Sequence, residues 1–270
     1  MNAQVMRRLR PLFGTYVEVG VTGADNDAIE SAFDVMTIVH REMSFHDATS
    51  ELSRINRAQG EWIRVSLHTR RVLRLARAMM RASEGLFDCT VGGELIERGC
   101  LPQHDSSPHA RSGAANDIEI NGSLVRVRGD IRITLDGIAK GYGIDMGIRA
   151  LRRCGVSAGW INAGGDLRAF GEIALPVYRR ESDGALSGLG GIKDAAVATS
   201  ATHASGAERY PGVIVSSQRD VPKQGIWTVV AHTAWRADAL TKVAALAGSA
   251  DRSSIVQRLG GRLVEERVAA

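Results

Sequence analysis

Residues 135–143, LDGIAKGYG, form a glycine-rich stretch in which one element of the predicted fold changes into another. The apolar run 131–135 predicts a strand, and Gly137 opens a predicted helix that runs to about Cys154. The first helical turn lacks bulky side chains, so its unpaired backbone N–H groups and positive dipole end can meet an anion. Lys140 adds a mobile positive charge. A tight strand-to-helix junction with a surface lysine is the alternative interpretation.

The segments on either side of this junction alternate between strand and helix patterns. Helical periodicity covers about 27–43, and a second helix extends from Ser66 as N-cap to Gly85 as C-cap. Asn121-Gly122 indicates a hairpin between two short strands. Further strands are predicted at 12–21, 118–120, 124–127, 158–170 and 226–231, and a further helix at 235–247.

These elements predict an α+β fold in which mixed or antiparallel sheets are covered by helices. Residues 1–270 are expected to form one domain, with the Pro/Ser/Gly/His-rich loop 103–116 as an internal insertion. The glycine-rich segment 181–194 is predicted to be a mobile loop near the mouth of the site.

Composition narrows the class of ligand. With 34 basic against 30 acidic residues and a net charge of +4, the chain suits a small anionic molecule. With 5% aromatic residues, it has no basic and aromatic interleaving of the kind used to bind nucleic acid. Three cysteines without a CxxC pair indicate reduced thiols. With no apolar run long enough for a signal peptide or a membrane span, we expect a cytoplasmic location.

Two further clusters lie at predicted strand ends. In residues 160–167, Gly164 and Gly165 would let the backbone approach a ligand, or they could form a β-bulge with an Asx-type turn. Residues 198–203, ATSATH, carry the hydroxyls of Thr199 and Ser200 and the imidazole of His203. These hydroxyls could hold phosphate or ribose oxygens, or the segment could be a polar loop.

Six segments, in this order, resemble motifs of the FAD:protein FMN transferases, the ApbE-type flavin transferases. The resemblance covers about residues 12–250, nearly the whole chain. The matching segments are MSFHDATSELSRIN at 43–56 for an SELSRLN-like run, LFDCTVG at 86–92 for FDxTVG, 135–141 for GGIAKG, 162–166 for NAGGD, 198–200 for ATS, and 237–240 for ADAL.

The resemblance implies a specific reaction. Such enzymes bind FAD and Mg²⁺ and move the FMN half of FAD onto a threonine hydroxyl of a partner flavoprotein, releasing AMP. In-line attack on a diphosphate needs positioning and charge neutralisation more than covalent chemistry from the enzyme.

The resemblance also implies roles for individual residues. The implied FAD contacts are Leu86, Phe87 and Asp88 at the adenine, Phe13 and His46 beside the flavin nucleotide, and Thr134 and Lys140 at the glycine-rich turn. The two strand-end clusters add Gly164, Gly165, Thr199 and Ser200 as candidate cofactor-binding residues. Family metal ligands are the backbone carbonyl matching Gly137, the aspartate matching Asp238, and a threonine four residues later.

This sequence departs from the family pattern at that last position, where Lys242 stands and Thr241 precedes it. On a helix, Asp238 and Lys242 share a face, so the ammonium could pair with the carboxylate meant for the metal. Either Thr241 and water complete the metal shell, or Lys242 does part of the metal's charge work, or the two form an exposed ion pair. We therefore take Gly137, Asp238 and Thr241 as candidate metal ligands.

The candidate catalytic residues are Asp238, Lys242 and His203, with His203 or Asp238 as the general base. Residues 210–218 replace the family's HxIDPxTG element, and Thr134 stands where many members have an aspartate. Family members are commonly exported lipoproteins, whereas this sequence shows no signal segment.

The leading hypothesis is a Mg²⁺-assisted FAD:protein FMN transferase. The alternatives are a non-catalytic FAD carrier or sensor in which Lys242 has displaced the metal, and an FAD pyrophosphatase that releases FMN and AMP.

Overall fold

The computed structural model describes residues 5–23, 26–181, 183–202, 213–216 and 225–264. The strands are β1 (Val5–Leu12), β2 (Thr15–Thr22), β3 (Ile63–Arg64), β4 (Ile118–Asn121), β5 (Leu124–Val127), β6 (Gly159–Ala163), β7 (Asp166–Phe170), β8 (Leu175–Arg180), β9 (Leu186–Ile192), β10 (Ala196–Thr202), β11 (Gly225–Ala231) and β12 (Gly261–Val264). The helices are α1 (Asn26–Met43), α2 (Glu51–Arg57), α3 (Leu67–Ala82), α4 (Gly92–Glu97), α5 (Ala139–Arg153), α6 (Ala234–Leu246) and α7 (Arg252–Arg258), with a 3₁₀ turn at Ala115–Asp117.

Antiparallel pairing joins the strands into three sheets. The largest has seven strands in the order β1-β2-β6-β7-β10-β11-β12, and the others are β3-β5-β4 and β8-β9. Every strand pair in these sheets is antiparallel. The α+β class with antiparallel sheets and covering helices is therefore confirmed.

The seven-stranded sheet is covered on both faces, because successive side chains of a strand point to opposite sides. On one face, Val19 of β2 and Ile161 of β6 pack with Phe33 of α1 and Ile148 of α5. On the other face, β6, β7 and β10 pack against the β8-β9 hairpin through a smaller apolar cluster.

Helix α6 lies between two apolar clusters. Its residues Ala234 and Ala237 join the cluster of α1 and α5, whereas Leu240 and Val243 join a cluster with α2, α3 and β5. A helix that is buried on most of its circumference has a fixed position. The side chains that α6 carries toward a site are therefore held in place.

Segment 131–135 is not the predicted strand. It is extended, with only isolated parallel bridges from Ala110 to Ile131 and from Val91 to Arg132. The side chain of Asn56 takes the place of a strand ladder, because its Oδ1 accepts the N–H of Ile133 at 2.8 Å and its Nδ2 donates to the Ile133 carbonyl at 2.8 Å.

Other predictions needed smaller corrections. Helix α5 begins at Ala139 rather than Gly137, because the N–H groups of Ile138 and Ala139 both bond to the Leu135 carbonyl in a turn. The predicted strand 158–170 is divided into β6 and β7. Segment 181–194 contains strand β9 rather than only a mobile loop, and buried Ile192 anchors that strand.

The remaining elements agree with the patterns. Helices α1, α3 and α6 lie within two residues of their predicted bounds, and Ser66 caps α3 by accepting the Thr69 N–H. The Asn121-Gly122 turn joins β4 to β5, with Gly122 at φ +56°. Residues 103–114 contain no helix or strand. Among the described helices, none combines the length and the hydropathy that crossing a membrane requires.

The Asn56 contact provides a test of the fold. Because Asn56→Ala leaves two buried backbone groups of Ile133 without partners, we expect the free energy of unfolding to fall by about 2 to 4 kcal/mol. Urea unfolding followed by circular dichroism measures this change. The control is Gln257→Ala on the exposed face of α7, for which we expect a change within about 0.5 kcal/mol. If both substitutions had equally small effects, the claim that Asn56 supplies the backbone hydrogen bonds of Ile133 would be contradicted.

Candidate functional site

A cavity of about 890 Å³ opens between the segment that follows α3, α4, β10, α6 and the start of α5. This volume lies in the range of small-molecule sites. The predicted site residues on its wall are His46, Leu86, Phe87, Asp88, Thr134, Gly137, Lys140, Thr199, Ser200 and Lys242. The structure therefore brings residues from four of the six motifs to one cavity, together with Lys242, which follows the 237–240 motif.

One part of the wall is apolar and is formed after α3. Leu86 and Phe87 are each 3% exposed and line the cavity. The backbone N–H of Phe87 donates to Ser83 Oγ at 3.0 Å, which fixes the turn that presents them. Asp88 follows them on the wall, where burial raises the pKa of its carboxyl group and two hydrogen bonds from Thr90 oppose that rise. This part suits a flat aromatic group with a polar edge.

Lys140 lies at the glycine-rich end of the cavity. Its Nζ is 3.1 Å from Oδ2 of Asp166, whose side chain is 4% exposed. Burial raises the pKa of Asp166, and the Lys140 ammonium opposes this rise. The Asp166 charge in turn raises the pKa of Lys140, so the ammonium stays protonated at neutral pH.

Lys242 is a second cation on the same wall. Its Nζ is 2.5 Å from Oδ1 of Asp238 and 3.2 Å from the Asp238 backbone carbonyl oxygen. Asp238 is 1% exposed, and its Oδ2 accepts the N–H of Gly141 at 3.1 Å. The side chain of Lys242 also passes Gly137, where an ideal Cβ would lie 3.5 Å from Lys242 Cε.

The start of α6 is held by a buried carboxylate on α5. Asp145 accepts the N–H groups of Ala234 and Trp235, each at 2.9 Å, and pairs with Arg168. Two orphan donors at the helix N-terminus are thereby satisfied. This contact fixes where α6 places Asp238 and Lys242.

The hydroxyl groups near the cavity are bonded to each other. Thr199 Oγ1 lies 3.0 Å from Thr228 Oγ1, and Ser200 Oγ lies 2.7 Å from Thr241 Oγ1. Thr241 also donates to the Asp238 carbonyl at 2.7 Å and is fully buried. Thr199 and Ser200 line the cavity, whereas Thr241 does not.

The residues of this chain do not fit a Mg²⁺ ion. Mg²⁺ requires several oxygen ligands in near-octahedral geometry. Both carboxylate oxygens of Asp238 have N–H partners, and the Thr241 hydroxyl faces Ser200 and the Asp238 backbone. Within the described ranges, no cluster of three or more His, Cys, Asp or Glu side chains could hold a metal.

Comparison with known proteins identifies the family. The ApbE family model matches residues 13–264. The chain belongs to the ApbE family. A curated FAD:protein FMN transferase from Rhodobacter capsulatus is 29% identical over 186 residues, 62% of this chain and 35% of that protein. The chain thus spans about a third of the length of that relative.

Solved structures of ApbE proteins share the fold. The apbe protein from Thermotoga maritima superposes with a TM-score of 0.81 at 24% identity, over 96% of this chain and 93% of that one. Apo flavinyl transferase ApbE from Pseudomonas stutzeri gives 0.80 at 19% identity, over 99% and 93%. Flavin transferase ApbE from Vibrio cholerae gives 0.77 at 22%, over 97% and 96%. The antiparallel architecture is therefore that of an ApbE protein.

Three predicted FAD contacts lie off the wall of this ApbE-family cavity. The Phe13 ring packs on Gly143, where an ideal Cβ would be 2.4 Å from its Cζ, and lies 5.3 Å from the His40 ring. Gly164 and Gly165 form the β6-β7 turn with φ of +61° and +100°. His203 lies outside the described residues, as does most of 210–218. The described part of that segment contributes Val213, Ile214 and Val215 to the cavity wall.

Sequence reasoning missed three carboxylates. Asp136 projects into the cavity, where it accepts from Thr134 Oγ1 at 3.1 Å and desolvation raises its pKa. Asp136 lies in the glycine-rich stretch 135–143 and could have been predicted as a site residue. Asp166 also lies in a quoted motif, at 162–166, but its partner Lys140 is distant in the chain, as are the partners of Asp145, so no local pattern assigns either carboxylate its role.

The Lys140–Asp166 pair gives a pH-dependent prediction. Lys140→Met leaves the buried Asp166 carboxylate without a cation, so we expect the free energy of unfolding at pH 7 to fall by about 2 to 3 kcal/mol. Without Lys140 the pKa of Asp166, already raised by burial, rises further above its unfolded value. The folded variant then binds a proton that the unfolded chain does not, and the loss should shrink as the pH falls from 7 to 5.

Urea unfolding at the two pH values measures this effect. Lys193→Met is the matched control, because Lys193 pairs with Glu172, whose side chain is 88% exposed. A loss for Lys140→Met that is equal at pH 7 and pH 5 would contradict the assignment.

Proposed function

We propose that this chain transfers the FMN half of FAD to a threonine hydroxyl of a partner flavoprotein and releases AMP. Membership of the ApbE family and the activity named for the Rhodobacter capsulatus relative support the proposal. The observation that carries it is a single cavity with an apolar wall at Leu86 and Phe87 and two cations, Lys140 and Lys242, at its glycine-rich end. FAD joins two flat aromatic groups through a diphosphate, which matches this division of the wall.

The reaction breaks one phosphoanhydride bond and forms one phosphoester bond. The threonine oxygen attacks the phosphorus on the FMN side, the bond to the AMP phosphate breaks, and the threonine proton leaves to a base or to solvent. Negative charge accumulates on the phosphate oxygens in the transition state, so fixed cations contribute most when they are already in place. Lys140 and Lys242 are held by Asp166 and Asp238 for this role.

Asp238 acts in this scheme as a positioning residue. Both of its carboxylate oxygens already accept hydrogen bonds, one from Lys242 and one from the Gly141 N–H. A general base needs an oxygen within reach of the substrate proton. Asp238 therefore holds Lys242 and α5 rather than taking the threonine proton.

The test incubates the protein with FAD and an acceptor flavoprotein domain that carries the target threonine. We expect an FMN adduct on the acceptor by mass spectrometry and an equal amount of AMP by chromatography. A Thr→Ala acceptor should give neither product. The reactions are run both with Mg²⁺ and with EDTA, so that FMN transfer is detected whether or not it requires the metal.

The other outcomes identify the alternatives. AMP with free FMN and no adduct would select an FAD pyrophosphatase. FAD binding without either product would select a carrier or sensor.

Removing one cation tests the role of the glycine-rich end. Lys140→Gln is expected to lower kcat/KM for FAD by about 10²- to 10³-fold, because a fixed positive charge near the developing phosphate charge is lost. Lys193→Gln, which removes an exposed lysine that does not line the cavity, should leave kcat/KM unchanged. Equal rates for the two variants would place the diphosphate elsewhere.

A further inference from the structure

We infer that the ammonium of Lys242 occupies the place of a divalent cation in this cavity, so that the chain binds FAD without Mg²⁺. This inference rests on the proposed function in taking FAD as the ligand. It concerns the metal requirement of binding, which is separate from whether FMN is transferred.

The position of the Lys242 side chain is the first observation. It crosses the space between Gly137 and Asp238, two of the positions that the family resemblance assigns to the metal. Its Cε and Cδ would lie 3.5 Å and 3.8 Å from a Cβ on Gly137, while its Nζ lies 2.5 Å from Asp238 Oδ1. A metal ion between Gly137 and Asp238 would have to displace this side chain.

The remaining capacity of the ammonium is the second observation. A lysine ammonium has three N–H donors. Two of them are directed to Oδ1 and the backbone carbonyl of Asp238, and no other acceptor among the described residues is bonded to this nitrogen. Lys242 lines the cavity and its side chain is 24% exposed, so the third donor is available to a phosphate oxygen.

The charge balance at Asp238 is the third observation. Asp238 is almost fully buried, and a buried carboxylate needs a close cation. Lys242 already satisfies this need from the same helix, one turn away. A divalent cation would meet an ammonium of like charge at Asp238, the charged one of its three candidate ligands, and this repulsion opposes its entry.

The Thr241 hydroxyl does not restore a metal site. It is bonded to the Asp238 carbonyl and to Ser200, and it is fully buried away from the cavity wall. A lysine supplies one positive charge and no octahedral geometry, so it can neutralise a phosphate oxygen without selecting for Mg²⁺.

The first experiment measures FAD affinity by isothermal titration calorimetry, in EDTA and in Mg²⁺. For the unmodified protein we expect the two dissociation constants to agree within about twofold, because Lys242 already supplies the positive charge that Mg²⁺ would add. Lys242→Thr restores an oxygen at the fourth residue after Asp238 and frees Asp238 Oδ1. It should bind FAD at least tenfold more weakly than the unmodified protein in EDTA and recover in Mg²⁺.

Two matched variants separate charge from coordination. Lys242→Met removes the charge without supplying an oxygen and should bind FAD weakly under both conditions. Lys193→Thr makes the same chemical change at an exposed ion pair and should bind FAD like the unmodified protein.

The second experiment titrates Mn²⁺ into the unmodified protein without FAD and follows the signal of free aqueous Mn²⁺ by electron paramagnetic resonance. We expect the signal to match that of buffer, whereas Lys242→Thr should reduce it. The comparison of FAD affinity in EDTA and in Mg²⁺ uses the unmodified protein, so it remains decisive even if a variant does not fold.

The outcomes that overturn the inference differ from those that overturn the proposed function. An FAD affinity that rises tenfold or more with Mg²⁺, or Mn²⁺ binding to the unmodified protein that Asp238→Asn abolishes, would overturn the inference alone. Metal-independent FAD binding with no FMN adduct would overturn the transferase proposal and leave the inference standing. No FAD binding under either condition would overturn both.

Discussion

The close packing of α5 on α6 is the contact on which the rest of the site depends. An ideal Cβ at position 141 would lie 2.4 Å from the Ala234 carbonyl oxygen, so only glycine allows the two helices to approach this closely. Asp145 then accepts two N–H groups from the first turn of α6, and Asp238 accepts the N–H of Gly141. This approach brings Lys140 on α5 and Lys242 on α6 to one cavity wall.

Three buried ion pairs also constrain the arrangement of α5, β7 and α6. Asp145, Asp166 and Asp238 are each at most 5% exposed, and each has one close cation, respectively Arg168, Lys140 and Lys242. Burying an ion pair adds little net stability, but separating its members is costly. The three pairs therefore penalise other alignments of α5, β7 and α6. The two lysine pairs also keep their cations at the cavity.

Local patterns in the sequence predicted the local structure well. Helical periodicity predicted α1, α3 and α6, and Asn121-Gly122 predicted the hairpin of β4 and β5. The failure at 131–135 has a long-range cause, because Asn56, 77 residues before Ile133, takes the backbone bonds that a neighbouring strand would make. The site likewise combines features that local spacing predicts with features that depend on long-range contacts. The Asp238–Lys242 pair follows from i, i+4 spacing, whereas the partners of Asp166 and Asp145 depend on the tertiary fold.

Helix geometry and the contact with β10 together keep Thr241 off the cavity wall. Successive residues of an α-helix are rotated by about 100°, so a hydroxyl one position earlier points to a different side of α6. Lys242, a full turn after Asp238, faces the cavity, while Thr241 faces Ser200 of β10. A threonine one residue away therefore cannot compensate for the lysine. Lys242 stands where the family resemblance implies an oxygen ligand, and it also delivers a cation to Asp238, so a single residue would change both the ligands and the charge.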